Sequence, residues 1–159
     1  MKTSFLKIAF LLAVAVSFNA CKSTSNDPDP KTKASTNVFE ATIDGKAWKA
    51  KTASGGVAIV GGLLSIVGKV DDLNNISIQM IGRDIKTGTD YQFIIPNTEA
   101  NKNANIVYLK EGKVLAGNSG KVRFSTFSAT KIEGTFEAGF SDFINTTATA
   151  TQGKFTINL

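Results

Sequence analysis

The chain has 159 residues and a formal charge of +5, and it contains one cysteine and no histidine. These counts exclude a Ser-His-Asp triad, a Cys-His pair, a histidine-based zinc site and a disulfide within the chain. The positive charge does not indicate a nucleic-acid binder, because from Asn37 onward 13 basic residues face 11 acidic ones and no basic run is present.

The first 21 residues have the pattern of a lipoprotein export signal. Lys2 and Lys7 precede an apolar run over residues 8–16, which is too short to span a bilayer. Residues 17–20 end in alanine directly before Cys21. We therefore expect residues 1–20 to be removed and lipid to be attached at Cys21. The alternative is an ordinary secretory signal that leaves a free cysteine.

Residues 22–36 have the composition of a flexible tether. They contain no aliphatic side chain larger than alanine, so they cannot bury enough apolar surface to fold. A chain of this length would hold a domain about 20 Å from the lipid on average. We thus predict a lipidated cysteine and tether over residues 21–36 and one folded domain over residues 37–159.

The folded part begins with a predicted β-hairpin. Two runs of alternating polarity, residues 38–43 and 46–50, flank Asp44-Gly45. Asp-Gly between such runs is typical of a type I′ turn, in which both central residues have positive φ. A two-residue loop fixes the register and places Phe39 and Trp48 on the same face of the hairpin.

Alternation with a period of two continues along the chain, and a helical period does not appear over a useful length. Three polar segments separate predicted strands: a turn over residues 71–74, a second hairpin turn at Glu111-Gly112, and a loop over residues 141–147. The loop over residues 141–147 has room for one helical turn. Leu159 is predicted to face inward with the end of the last strand. The further predicted strands are residues 57–60, 63–70, 75–81, 91–95, 106–109, 114–116, 120–127, 131–140 and 153–159.

Residues 82–88 and 97–104 are expected to be polar connections, and Pro96 is expected to end the strand before it. The fold class predicted from these elements is all-β. It is a single antiparallel β-sandwich or barrel-like domain of roughly 8–10 strands with little or no helix.

Three short motifs resemble a family of uncharacterised lipoproteins from Bacteroidota. They are Phe39-x-Ala41-x-Ile43-Asp44-Gly45-Lys46-x-Trp48, Gly134-Thr135-Phe136 and Thr151-x-Gly153-x-Phe155. The resemblance implies a lipid anchor and an antiparallel sandwich or barrel. It supplies no catalytic residues.

Two pairs of carboxylates are candidates for glycosidase chemistry. Glu133 and Glu137 share one face of a predicted strand, but four residues of strand separate them by about 13 Å, which exceeds the spacing of retaining and inverting enzymes. Asp71 and Asp72 are adjacent and would point apart in an extended chain. No catalytic residue is predicted.

Two other kinds of site were considered. Residues Asp71–Asn75 offer oxygen ligands for calcium but lack the glycine and the distal glutamate of an EF-hand loop, and a hairpin turn explains them equally well. No metal and no cofactor are predicted, although calcium at this turn stays open. The aromatic residues that could stack on a sugar are Trp48, Tyr91 and Tyr108, and Trp48 is predicted to face inward.

The sequence therefore predicts a lipoprotein of the outer membrane that acts as a non-catalytic binding or structural module of the cell envelope. Its expected partners are membrane lipid through Cys21 and a glycan or an envelope protein, with no nucleic acid. One alternative is a barrel that carries a small apolar ligand, and another is a carboxylate-dependent hydrolase. The sequence does not identify the ligand or the membrane face.

Overall fold

The computed structural model describes residues 36–58, 62–81, 85–94 and 103–159. The predicted signal, Cys21 and the tether up to residue 35 lie outside the described residues. So do residues 59–60 of one predicted strand, residues 82–84 of a predicted connection, and residues 95–102, which include Pro96.

Ten strands form a single sheet, which confirms the prediction of an all-β domain. Within the described ranges there is no helix, and hence none long and apolar enough to span a membrane. The strands are β1 (Val38–Ile43), β2 (Lys46–Lys49), β3 (Thr52–Val57), β4 (Leu63–Asp71), β5 (Asn74–Ile81), β6 (Asp90–Phe93), β7 (Asn103–Lys110), β8 (Lys113–Phe127), β9 (Lys131–Ser141) and β10 (Thr147–Asn158).

The sheet curls so that its two edges come together. The strand order is β2-β1-β10-β9-β8-β6-β7-β5-β4-β3, and β8 also pairs with β7. The edge strands β2 and β3 are joined by two residues only. The Ala50 N–H donates to the carbonyl of Phe39 in β1, and the Lys51 N–H donates to the carbonyl of Lys69 in β4, each at 2.9 Å. The result is a barrel-like sheet with its core inside the curl.

The first hairpin has the predicted geometry. Asp44 and Gly45 have φ of 48° and 77°, and Ala41 pairs with Trp48. The Trp48 ring packs edge-on against Phe39, with ring centroids 5.9 Å apart. The sequence was sufficient to predict this hairpin because the residues that determine its turn, its register and its buried face all lie between Val38 and Lys49.

Several predicted strand limits were wrong, and bulges or glycines explain most of them. Val57 ends a strand rather than beginning one, because the Gly55-Gly56 pair that interrupts the apolar pattern is itself part of β3. The strands predicted at residues 114–116 and 120–127 are one strand, β8, whose register shifts between Gly117 and Ser119. An extra residue in a bulge reverses the alternation that the prediction followed.

The ends of other elements also differ from the predictions. β10 begins at Thr147 instead of residue 153, and β7 begins at Asn103 within the predicted polar connection. The segment between β9 and β10 contains no helical turn. Leu159 is 51% exposed instead of inward, because it lies beyond the last paired residue of β10. β6 pairs with β7 in parallel, so the sheet is not wholly antiparallel.

The core is filled by large side chains that pack over inward-facing glycines. The ring of Phe39 covers Gly68 of β4, where an added Cβ atom would lie 2.4 Å from the ring. The ring of Phe155 covers Gly134 in the same way at 2.6 Å. The largest fully buried side chains are Phe39, Phe93, Phe124, Phe140, Phe155, Leu64, Ile66, Ile76, Ile78, Leu115, Ile132 and Ile157.

The β1–β2, β4–β5 and β7–β8 turns lie at one end of the sheet, and the β8–β9 turn lies at the other end together with the ends of the described domain. Asp44 in the β1–β2 turn forms an ion pair with Lys110, which precedes the β7–β8 turn, and accepts the N–H of Thr149 in β10. At the opposite end, the Asn37 side-chain oxygen accepts the N–H of Asn158 at 2.8 Å. The start of β1 and the end of β10 are therefore held together.

Candidate functional site

Two neighbouring clefts lie on the outer face of the sheet and share Gln152 and Lys154. The first has a volume of about 380 Å³, and its polar lining also includes Asp90, Lys121, Arg123, Thr135 and Glu137. The second, of about 450 Å³, lies against the edge strand β2 and is also lined by Glu40, Thr42, Trp48 and Lys49. The two clefts together are called the outer groove below.

A β-bulge in β10 separates the two clefts. Glu40 pairs with Lys154 but Thr42 pairs with Thr151, so β10 has one more residue than β1 over this interval. The register with β9 shifts at the same place. A bulge bends its strand and increases the local twist. Gln152 lies in this bulge with φ of 53°, and its side chain stands where the clefts meet.

One row of side chains crosses five strands along the groove. Asp90 pairs with Arg123, Arg123 with Thr135, Thr135 with Lys154, and Lys154 with Glu40. Directly paired residues of neighbouring strands project from the same face of a sheet. The row therefore places groups from β6, β8, β9, β10 and β1 side by side.

The carboxylates of this row are held by cations. Asp90 accepts Arg123 Nε at 2.5 Å and Lys121 Nζ at 3.1 Å, and these hydrogen bonds, first that of Arg123, hold the pKa of Asp90 below its ordinary value. Glu40 lies 2.8 Å from Lys154 Nζ, and the hydrogen bond with Lys154 likewise lowers the Glu40 pKa. Both carboxylates are thus ionised at neutral pH.

The structure brings Asp90 and Glu137 close together, and these form neither of the two candidate pairs of the sequence, for which no catalytic role is predicted. Lys121 Nζ lies 3.1 Å from Asp90 and 3.9 Å from Glu137, so these two carboxylates are at most about 7 Å apart. Glu133 instead bonds Thr126 at 2.8 Å and pairs with Lys131. Sequence reasoning missed Asp90 because the neighbour of β6 in the sheet, β8, is a long-range pairing that no local pattern encodes.

The three predicted aromatic candidates all pack against the core. Trp48 is partly exposed and lines the second cleft. The Tyr91 side chain is buried, and its hydroxyl accepts the Lys86 N–H at 2.8 Å. Tyr108 is buried against Phe140, and burial raises its pKa. The Trp48 ring packs on Phe39 on the inner face, as predicted, so Trp48 borders the outer groove only at the edge strand β2.

The oxygen-rich turn between β4 and β5 is held by its own hydrogen bonds. Asp71 Oδ1 accepts the Leu73 N–H and the Asn74 side-chain amide, each at 2.9 Å. Asp72 forms an ion pair with Lys69. In the part of the chain that the structure describes, no cluster of three or more acidic, cysteine or histidine residues is suited to a metal ion.

Comparisons with protein-family models, with curated proteins and with solved structures gave no match. The resemblance to a Bacteroidota lipoprotein family therefore stays a prediction. Sequence alternation did predict that Glu137 faces outward from its strand, but the groove also depends on the bulge at Gln152, which alternation alone does not indicate.

Proposed function

We propose that this protein is a lipid-anchored module of the cell envelope that binds its ligand in the outer groove without catalysing a reaction. The observation that carries the proposal is the concave outer face at the β10 bulge, where cross-strand ion pairs hold polar groups from five strands in fixed positions. Such a concave site with a few convergent polar groups is a usual form of ligand site. Attachment to the outer membrane through Cys21 is part of the proposal.

The filled interior favours the outer groove over the alternative of an internal carrier. Phe39, Phe124 and Phe155 are each at most 2% exposed, and the rings of Phe39 and Phe124 both pack on that of Phe155. The inward glycines do not leave room, because neighbouring rings occupy the space where their side chains would be. A carrier of an apolar ligand would need that volume.

A carboxylate-dependent glycoside hydrolase is the second candidate, because Asp90 and Glu137 share Lys121. Their separation of at most about 7 Å is compatible with such chemistry. However, the two cations beside Asp90 favour its ionised form, so the role of general acid would fall to Glu137, whose side chain is exposed instead of lying in the apolar pocket that usually supports such an acid. We therefore prefer a binding function to a catalytic one.

The test compares binding and turnover in one preparation of full-length protein in detergent. We expect a polysaccharide or envelope protein to raise the melting temperature, because a ligand that binds only the folded state stabilises it. Lys154→Ala should reduce this rise, whereas Lys131→Ala, which removes an ion pair outside the groove, should not. Chromogenic glycosides, esters and peptides should not be hydrolysed.

Hydrolysis of any of these substrates that disappears in Glu137→Gln, with an unchanged melting temperature, would replace the binding proposal with the hydrolase. A rise in melting temperature that is equal in Lys154→Ala and the parent would place the ligand elsewhere.

A further inference from the structure

We infer that the outer groove takes a neutral, hydroxyl-rich glycan chain and that Gln152 is its central recognition residue. The inference rests on the proposed function and specifies the ligand class of the same site. Three features of the groove carry it: its paired charges, the conformation of Gln152 and its length.

Three carboxylates and three cations of the groove pair with one another, and Lys49, opposite Glu40 on β2, is a fourth cation of the lining. Asp90 holds both Lys121 and Arg123, Lys121 also faces Glu137, and Lys154 holds Glu40. An acidic ligand that bound Lys121, Arg123 or Lys154 would have to replace an internal carboxylate at that cation and leave the carboxylate without its partner. A basic ligand would meet the same penalty at the carboxylates. A neutral ligand requires no such exchange.

The charged groups in these ion pairs still have donors and lone pairs that can form hydrogen bonds with the hydroxyl groups of a ligand. A guanidinium has five N–H donors in a plane, and the bond that Arg123 makes to Asp90 comes from Nε. Each carboxylate has about four lone-pair positions, and an ammonium has three donors. A sugar hydroxyl both donates and accepts, so it can join such a pair at either member.

The backbone at Gln152 points to a role for its side chain. Its φ of 53° lies in the left-handed region, which a glycine would occupy at lower energy. Among the other described non-glycine residues with positive φ, Asp44 and Glu111 lie in two-residue hairpin turns that require it, and Phe143 lies in the β9–β10 loop, whereas Gln152 lies within a strand. At the bulge, the chain keeps a long amide where glycine would be less strained. The Gln152 side-chain oxygen accepts the hydroxyl of Thr42 at 3.5 Å, and the uncharged amide nitrogen offers two donors, which suits the hydroxyl groups of a ligand.

The length of the row fits a chain better than a single sugar. The row from Asp90 to Glu40 crosses five strands. At about 4.8 Å per strand spacing, it extends over roughly 19 Å.

The experiment measures binding of full-length protein in detergent to two sets of polymers. The neutral set is dextran, laminarin and mannan, and the acidic set is polygalacturonate and heparin. We expect at least one neutral polymer to bind, with an affinity that changes by less than about twofold between low and high salt, because no counterions are released. Gln152→Gly should weaken binding by about tenfold or more, the loss expected when a buried polar contact of the ligand is removed.

The free Gln152→Gly protein should melt at the same temperature as the parent or higher, because glycine relieves the left-handed strain. The matched control is Gln79→Ala, since Gln79 is exposed on β5 and does not line either cleft. It should bind as the parent does.

Four outcomes would overturn the inference. Binding of an acidic polymer that depends on Gln152 and falls steeply with salt would make the ligand class wrong and leave the proposed function standing. Neutral binding that Gln152→Gly leaves unchanged, or a Gln152→Gly protein less stable than the parent, would remove the role of Gln152. If no polymer of either set binds in a way that Lys154→Ala or Gln152→Gly alters, both the inference and a glycan version of the proposed function fail.

Discussion

The Phe39 side chain connects several parts of the core. Its ring packs against Trp48, Phe136 and Phe155, with centroids 5.9, 5.2 and 6.1 Å away. It also covers Gly68 on β4, across the curl of the sheet. The packing of the Phe39 ring on Gly68 therefore joins β1 on one side of the barrel-like sheet to β4 on the other side.

Gly68→Ala should destabilise the domain because the new Cβ would lie 2.4 Å from the Phe39 ring, which is held on its other sides by three aromatic neighbours. Forcing an extra methyl group into a packed core costs about 1–3 kcal/mol. Urea unfolding followed by tryptophan fluorescence measures the free energy of unfolding.

Gly56→Ala is the matched control, since a Cβ there would have no atom within 4 Å. Its effect should be less than about 1 kcal/mol in either direction. Equal destabilisation by both changes would contradict the packing of Phe39 over Gly68.

At the scale of the element, the β9–β10 loop is shaped by one carboxylate. Asp142 Oδ1 accepts the backbone N–H groups of Ile144, Asn145 and Thr146 at 2.9, 3.0 and 2.9 Å. Phe143 has φ of 62° and is 65% exposed. The hydrogen bonds, with that of Thr146 first, hold the Asp142 pKa well below its ordinary value of 3.8.

This shift predicts the pH range in which the loop loses its order. Because the folded-state pKa is depressed, the stabilisation is fully present above the ordinary value of 3.8 and is lost as the pH falls through the lower folded-state value. Hydrogen exchange of the backbone amides of residues 144–146 should therefore remain slow down to that ordinary value and accelerate, relative to the intrinsic rate, only in stronger acid.

Asp142→Asn keeps an oxygen acceptor and should remove the acid transition, whereas Asp142→Ala should speed exchange at every pH. An acid transition that persists unchanged in Asp142→Asn would show that another group controls the loop.

Sequence reasoning succeeded for elements whose determinants are local. Asp44-Gly45 defines both the turn and the register of the first hairpin, and the structure has the predicted pairs. It failed where a strand gains a residue, as in β8 and β10, because a bulge shifts the alternation without a distinct sequence signal. The outer groove could not be predicted for two reasons, long-range strand pairing and a bulge. Asp90 and Lys154 come from distant segments, and Gln152 lies in a bulge.

At the scale of the whole molecule, the predicted anchor is the property with the largest effect on where the protein acts. Cys21→Ala should abolish labelling with fatty acid and move any exported protein from the membrane fraction to the soluble fraction. Each buried methylene of an acyl chain contributes about 0.8 kcal/mol, and several chains are needed for stable attachment. Radiolabelled palmitate and fractionation measure both effects.

The circular dichroism spectrum of Cys21→Ala should still be that of a β protein, because the ten described strands all begin at Val38 or later and the substitution changes none of them. A parent protein that incorporates no palmitate would refute the anchor.

The joining of Asn37 to Asn158 has a mechanical consequence. β1 is bonded on both sides, to β2 and to β10, and the ladder bonds of antiparallel strands run perpendicular to the strand axis. Tension between a lipid anchor before Thr36 and a polymer held at Lys154 would pull β1 along its own axis, so both ladders would be loaded in shear and their bonds would have to break together. Tension between Thr36 and Leu159 would instead separate β1 from β10 one bond at a time, starting at Asn37. The protein should therefore resist force applied through its groove far better than the same force applied through its two ends.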